Sequence, residues 1–232
     1  MKIALLGYGK MGQAIEKIAV ERGHEIVIRK DVEPVEVDLN IADVAIDFSH
    51  PTAAYDNIKS CIDNGVPVVS GTTGWLDKYK EIVTHCENNE GSFIYASNFS
   101  IGVNLFFNLN SQLAELMKNI NEYEVAMEET HHIHKLDAPS GTAITLAEDI
   151  LVHSEKNKWS IESPCEDELF IDVKREGEVP GTHKVSYTSS IDSIEIKHSA
   201  FNRTGFALGA VVAAEWLKDK KGVFQMKDVL NL

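Results

Sequence analysis

The chain has 232 residues, with 36 acidic against 22 basic side chains and a formal net charge of −14, a balance that argues against a nucleic-acid surface of the usual basic kind. Its 44% hydrophobic and 25% charged residues are those of a packed globular protein and exclude a disordered chain. Three cysteines, Cys61, Cys86 and Cys165, are odd in number and form no CxxC pair, so no disulfide framework or cysteine zinc site follows and a reducing cytoplasmic setting is expected.

At roughly 100–200 residues per domain the length allows one large domain or two small ones. The apolar run behind Lys2 is interrupted too early by glycines, Glu16 and Lys17 to read as a signal peptide. No apolar stretch reaches the ~18 residues of a membrane span. Residues 2–6 (KIALL) predict a short buried strand. Met11, Ala14, Ile15, Ile18 and Ala19 then repeat at helical spacing, and Gly23-His24 closes that helix. Residues 25–28, 44–48, 66–70 and 93–96 predict four more strands, with a helix opened by Pro51 between the third and fourth. Strands alternating with helices imply βαβ units and a parallel sheet, covered on both faces.

The pattern changes near Asn104. A helix over 105–118 is followed by a strand over 123–127, a polar loop over 131–140 and a helix over 142–153. Residues 169–173, 182–188 and 193–198 are strand-like in succession, which predicts a mixed or antiparallel sheet. The nearly unbroken apolar run 206–217 predicts a deeply packed helix returning to the first domain. The fold expected is α/β: a Rossmann-type parallel-sheet domain over 1–103 and 207–232, and a second α+β domain over 104–206.

Gly7-Tyr8-Gly9-Lys10-Met11-Gly12 is a GxGxxG between a strand and an amphipathic helix. In that context Gly7 allows the tight turn, Gly9 lets the backbone approach a pyrophosphate and Gly12 lets the helix pack on the sheet. The helix N-terminus adds free N–H groups and roughly +0.5 of a charge for the phosphates. The second strand ends in Arg29 and Lys30 with Asp31 behind them. The basic pair suits the 2′-phosphate of NADPH and Asp31 the ribose of NADH, so either cofactor is open and NADPH is favoured. Gly71, Thr72, Thr73 and Gly74 follow the fourth strand, and Ser97, Asn98, Phe99 and Ser100 the fifth. Both segments lie where open parallel sheets bind ligands, and ordinary turn chemistry accounts for them equally well.

The richest stretch is 128–143, EETHHIHKLDAPSGTA. His131, His132, His134 and Lys135 concentrate the positive charge that an acidic protein needs to attract a small dianionic substrate. Ser140 can cap the helix that follows, and Gly141 and Thr142 present N–H groups that suit a carboxylate. Hydride reduction of a double bond also needs a proton, which His or Lys can supply. Three other readings are weaker, a merely structural polar loop among them. HHxH lacks further ligands at metal spacing, and Ser140 lacks the GxSxG elbow of a nucleophile.

Residues 129–143 resemble the signature E-x-H-H-x-x-K-x-D-x-P-S-G-T-A of the 4-hydroxy-tetrahydrodipicolinate reductase (dihydrodipicolinate reductase) family. The likeness extends through GYGKMG, DFS-x-P at 47–51, GTTG at 71–74, SNFSIGVN at 97–104, VPGTH at 179–183 and HSAFNRTGFALGAVVAAEWL at 198–217. The resemblance implies reduction of a small dicarboxylate ring to tetrahydrodipicolinate by NADPH or NADH in lysine and diaminopimelate biosynthesis, in the cytoplasm, by a homotetramer built on the second domain's sheet. It implies His131 as the principal proton donor or acceptor and Lys135 as a second donor. It also implies that His132 binds substrate and that Gly141 with Thr142 holds a carboxylate. Residues 7–12 would cradle the pyrophosphate. Gly71, Thr72 and Thr73, with Ala96, Ser97, Asn98 and Phe99, would meet the nicotinamide half. The chain is short for the family, compressed over 29–42, and has Ser97 where alanine is common, departures that bear on cofactor preference. The alternatives are a related amino-acid dehydrogenase, such as an aspartate dehydrogenase, and a dinucleotide-sensing module without catalysis.

Overall fold

The structure, a computed structural model, describes residues 1–31, 37–163, 165, 167–202 and 204–232. Of the compressed stretch 29–42, residues 32–36 lie outside the described residues. The elements in chain order are β1 (Lys2–Leu6), α1 (Lys10–Glu21), β2 (Glu25–Lys30), β3 (Val44–Asp47), α2 (Pro51–Asp63), β4 (Val68–Ser70), α3 (Tyr79–Asn88) and β5 (Ser92–Tyr95). Then come α4 (Ile101–Met117), β6 (Glu124–His131), α5 (Gly141–Leu151), β7 (Lys158–Ser160), β8 (Glu168–Arg175), β9 (Gly181–Thr188) and β10 (Ser193–Ala200). The chain closes with α6 (Thr204–Leu217), β11 (Gly222–Phe224) and α7 (Met226–Leu230). Two compact units result, Met1–Ile101 with Thr204–Leu232, and Gly102–Arg203.

The first unit holds a six-stranded sheet in the order β11-β5-β4-β3-β1-β2, parallel throughout. From β1 the chain goes to β2 on one side and then to β3 on the other. The switch point, where open sheets take their ligands, therefore lies between β1 and β3. One face packs on α1 and α6 through Ile3, Leu5, Ile15, Ile46, Ala210, Val211 and Ala214, all fully buried or nearly so. The other packs on α2 and α3 through Ala4, Leu6, Ile58, Ile82 and Phe93. Each large apolar side chain so buried contributes about 1.5–3 kcal/mol.

Small residues let α6 come very close to the chain after β5. A Cβ on Gly209 would lie 1.7 Å from the Phe99 carbonyl oxygen. The lone acid of that helix, Glu215, is satisfied by Arg22 at 2.7 Å and His24 at 2.7 Å.

The second unit holds a five-stranded sheet in the order β10-β9-β6-β8-β7. β9 pairs antiparallel with β6 and β10, while β6 with β8 and β8 with β7 are parallel, so the sheet is mixed. Its covered face carries Met127, Leu169, Ile171, Val185 and Tyr187 against Phe106 of α4 and Leu146, Ala147 and Ile150 of α5.

Several boundaries differ from those read in the sequence. β6 runs on to His131, so the polar loop begins one residue later and His131 is a strand residue. β2 runs on through Arg29 and Lys30, because parallel pairing with β1 continues to Leu6↔Lys30. β7 and β11 are strands of three residues, too short to show a period.

Candidate active site and dinucleotide cradle

The first unit gathers its glycine-rich loops at the carboxyl ends of β1 and β4, with the turn after β3 between them. A Cβ on Gly7 would lie 2.1 Å from the Phe48 carbonyl oxygen, and one on Gly12 2.3 Å from the Gly7 carbonyl oxygen. A Cβ on Gly9 would meet nothing within 4 Å. The outer two glycines are needed for packing, and the middle one leaves open space for a ligand. Gly9 also caps α1 without a side-chain bond, which leaves the first-turn N–H groups to a ligand. These features fit a dinucleotide pyrophosphate.

The side chains expected around the cofactor separate into two sets. Lys10, Thr73 and Ser97 are exposed, and Met11, Ala96 and Asn98 are half-buried. Tyr8 donates its hydroxyl to Glu16, which also pairs with Arg29, and Arg29 lies 5.9 Å from the Tyr8 ring centre. Lys30 donates to Asn57 Oδ1 at 2.9 Å. Thr72 and Phe99 face inward. The Thr72 hydroxyl donates to Asp47 at 2.7 Å, and the Phe99 ring sits in the core with its centre 5.8 Å from that of Phe48. A ligand contact at either of these two positions would fall to the backbone.

The second unit builds its polar cluster at one end of the covered sheet face. Side chains on a strand alternate, and residues directly opposite in a ladder share a face. Met127, Glu129 and His131 therefore point the same way on β6. Glu129 stands opposite His183 on β9 and Val173 on β8, and His131 stands opposite Arg175. The face is apolar at Met127, Ile171 and Val185 and turns polar two residues on.

Glu129 is fully buried. Its Oε1 accepts from both terminal nitrogens of Arg175 at 3.3 Å. Its Oε2 accepts the Ser140 backbone N–H at 3.0 Å and lies 3.7 Å from both His131 Nδ1 and His183 Nε2. Burial by itself would raise the Glu129 carboxyl, but hydrogen bonds from His183 and Ser140, with the His131 charge, hold it at about 2. Burial pushes the other way on His131, whose imidazole, also repelled by His183 and Lys135, falls to about 4 despite Glu129.

Ser140 links this cluster to α5. It caps the helix by accepting the Ala143 N–H at 3.2 Å, and its Oγ lies 3.1 Å from His183 Nε2. Gly141 and the half-buried Thr142 open the helix. Arg175 also donates to the carbonyls of Lys135 at 3.3 Å and Asp137 at 2.7 Å, pinning the loop to the sheet. Within that loop Lys135 Nζ bonds both Asp137 oxygens at 2.8 Å. His134 pairs with Glu178 at 3.2 Å, and the half-buried His132 lies 6.1 Å from the His134 ring.

Glu129, His183 and Arg175 had no role in the sequence reading. The signal was present in the two-residue period of EVAMEETH and GTHKVSYT, which turns Glu129 and His183 inward beside Met127, Val185 and Tyr187. Among the described residues, the ligand-type group lying close enough for a metal is Glu129, His131 and His183, with donor atoms within 4.8 Å of one another, rather than the HHxH run. Both Glu129 oxygens are already engaged, one of them by the cation of Arg175.

A parallel sheet with a glycine-rich turn at its switch point in one unit, and a buried imidazole–carboxylate cluster in the other, define a nicotinamide-dinucleotide-dependent reductase. Residues 1–99 match the family model described as dihydrodipicolinate reductase, N-terminus, and residues 102–230 match the one for the C-terminus. The chain therefore belongs to the dihydrodipicolinate reductase family. It is 58% identical over its whole length to a 4-hydroxy-tetrahydrodipicolinate reductase of Christiangramia forsetii, covering 98% of that protein. It is 33% identical, over 100% of this chain and 98% of the other, to a protein of the same name from Methanoregula boonei. The dipicolinate-bound dihydrodipicolinate reductase from Paenisporosarcina sp. TG-14 shares the fold, with a TM-score of 0.80 over 97% of both chains at 24% identity. These matches set aside the amino-acid dehydrogenase and the non-catalytic sensor.

Proposed function

We propose that this chain reduces 4-hydroxy-tetrahydrodipicolinate to tetrahydrodipicolinate in lysine and diaminopimelate biosynthesis, with the second unit, expected over 104–206, binding the substrate. The observation that carries the reading is Ser140. Its amide donates to Glu129 and its hydroxyl meets His183, so the anion-binding start of α5 is tied to the sheet face that bears His131. In this reading Gly141 and Thr142 hold one ring carboxylate through their N–H groups and the helix dipole. His132 binds the substrate, and Lys135 faces its negative charge.

A reduced nicotinamide dinucleotide, held by the first unit, supplies the hydride. The ring also takes up a proton and its 4-hydroxyl group leaves as water, which balances the reduction to tetrahydrodipicolinate. At rest the His131 imidazole, near 4, is neutral at pH 7. Two substrate carboxylates would favour its charged form and raise it, so that it gains a proton as the dianion arrives. Lys135, oriented by Asp137, is the second donor.

NADPH is favoured over NADH, with both accepted. Arg29 carries a cation at the end of β2, while Lys30 is turned to Asn57 and leaves the preference to Arg29. We place the enzyme in the cytoplasm as a homotetramer. No helix among the described residues is long and apolar enough to cross a membrane. β10 is an edge strand with Ile194 exposed, which suits pairing of sheets between subunits.

The test couples the purified protein to the preceding synthase, which makes the unstable substrate in place, and follows the loss of reduced-cofactor absorbance with NADPH and NADH in turn. Absence of synthase-dependent oxidation with both would overturn the assignment. Light scattering of the purified protein checks the subunit count.

A further inference from the structure

The DFS-x-P segment at 47–51 has no part in the chemistry above, yet it contains a carboxylate as thoroughly enclosed as that of Glu129. Asp47, the last residue of β3, is fully buried and half-way across the parallel sheet. Unlike Glu129, its hydrogen-bond partners are neutral. Its Oδ1 accepts from the Ser49 hydroxyl at 2.6 Å and from the Asn57 amide at 3.0 Å. Its Oδ2 accepts from the hydroxyls of Ser70 at 2.9 Å and Thr72 at 2.7 Å. A buried carboxylate is expensive, and four donors are about what it needs to remain in place.

Those donors come from separate places. Ser49 belongs to the turn after β3, Ser70 ends β4, Thr72 lies in the loop beyond it, and Asn57 is on α2. The Ser49 N–H also donates to Thr72 Oγ1 at 2.8 Å, and the Gly71 N–H to the Asp47 carbonyl at 2.9 Å. The other oxygen-bearing end of Asn57 accepts from Lys30 Nζ, at the end of β2. Phe48, the next residue, touches both glycine loops. Its carbonyl oxygen fills the space beside Gly7, and its ring fills the space beside Gly71, where an added Cβ would lie 2.3 Å away. A dinucleotide on such a sheet runs from the end of β2, at the adenosine side, across the switch point to the ends of β4 and β5. One carboxylate is thus bonded to the turn at that switch point and to the nicotinamide-side loop, and through Asn57 to the adenosine side.

We propose that Asp47 is the positioning residue of the dinucleotide site, setting the 71–74 loop and, through Asn57 and Lys30, the end of β2 at the spacing the cofactor requires. The proposal rests on the reading that the first unit binds the dinucleotide. Asp47 touches no ligand itself. It spends the Thr72 hydroxyl on the scaffold, so that loop meets the cofactor with its backbone and with Thr73.

The experiment titrates NADPH and NADH into the full chain, without substrate, and follows nicotinamide fluorescence. Asp47→Asn keeps the shape but loses one acceptor and the charge. We expect it to weaken cofactor binding about tenfold, the worth of one to two hydrogen bonds. At saturating cofactor the KM for the dicarboxylate should stay within about twofold, since Asp47 lies in the other unit. A merely structural residue would instead lower the melting temperature and leave the cofactor dissociation constant of the folded fraction unchanged, which would overturn the proposal. Equal losses for cofactor and substrate would overturn it as well. Should Asp47→Asn not fold, Ser49→Ala removes one donor of four and carries the test, with about threefold weaker cofactor binding expected; unchanged binding refutes the proposal. Because no substrate enters the titration, a wrong identity for the ring leaves this result intact. Failure of the unmodified protein to bind either dinucleotide would instead sink the functional reading.

Discussion

Glu129 and His183 face each other directly across β6 and β9, and the Glu129 Oε2 that lies 3.7 Å from His183 Nε2 lies equally far from His131 Nδ1. One buried carboxylate therefore serves two imidazoles as well as Arg175 and the cap of α5. Glu129→Gln keeps the shape but removes the charge that compensates Arg175. Breaking one side of a buried ion pair costs about 3–5 kcal/mol, so denaturant unfolding should show a loss near the low end of that range. A change of less than about 1 kcal/mol would mean that the cluster is much wetter than its burial implies.

The acid–base groups should be separable from the scaffold. Lys135→Ala and His131→Ala are expected to lower turnover by about 10²–10⁴, the usual worth of a placed proton donor. Lys135 is on a loop, so that variant should melt near the unmodified protein. Near-normal turnover in both purified variants would remove them from the mechanism.

The protonation of His131 gives a sign that can be checked. Its folded value, about 4, lies below the ordinary imidazole value of 6.5. The folded protein therefore binds fewer protons than the unfolded chain between these two values, and this contribution to stability, complete above 6.5, is lost as the pH falls towards 4. Glu129 acts in the same direction but lower, from 4.5 down to about 2. An NMR titration of the imidazole should give a midpoint near the lower value in the free protein, and a higher one with pyridine-2,6-dicarboxylate and cofactor bound. An unshifted midpoint on ligand binding would count against the proton-uptake step.

Gly181 leaves room for the His131 ring. A Cβ there would lie 3.1 Å from His131 Nε2, closer than side chains ordinarily pack. Gly181→Ala should displace the imidazole and lower kcat by about tenfold, a misplacement effect, with little change in the KM for cofactor. Equal kcat in the variant would show that the ring can give way at no cost.

The Glu16–Arg29 pair should set the balance between the two coenzymes. Glu16→Gln releases the guanidinium of an exposed pair, which is worth at most about 1 kcal/mol. The ratio of kcat/KM for NADPH over NADH should therefore rise about two- to fivefold. An unchanged or falling ratio would place the 2′-phosphate away from Arg29.

The sequence by itself determined the class of fold, the glycine-rich turn and the stretch 131–142 that bears His131, Lys135, Gly141 and Thr142. These are local signals. A GxGxxG between a strand and a helix, or a serine before an apolar helix, is legible because the residues that act together are neighbours in the chain. Strand ends and the very short strands were harder, since pairing with a neighbour, not propensity, carried β6 to His131 and β2 to Lys30. Only the tertiary structure decided which side chains are spent inside. Thr72 and Lys30 look like cofactor ligands in the sequence and bond Asp47 and Asn57 in the fold. Glu129, Arg175 and His183 stand more than 40 residues apart at the extremes and meet because the register of a mixed sheet aligns them on one face. A buried charge persists only where its partners converge, and that convergence is set by strand order, which no local pattern contains.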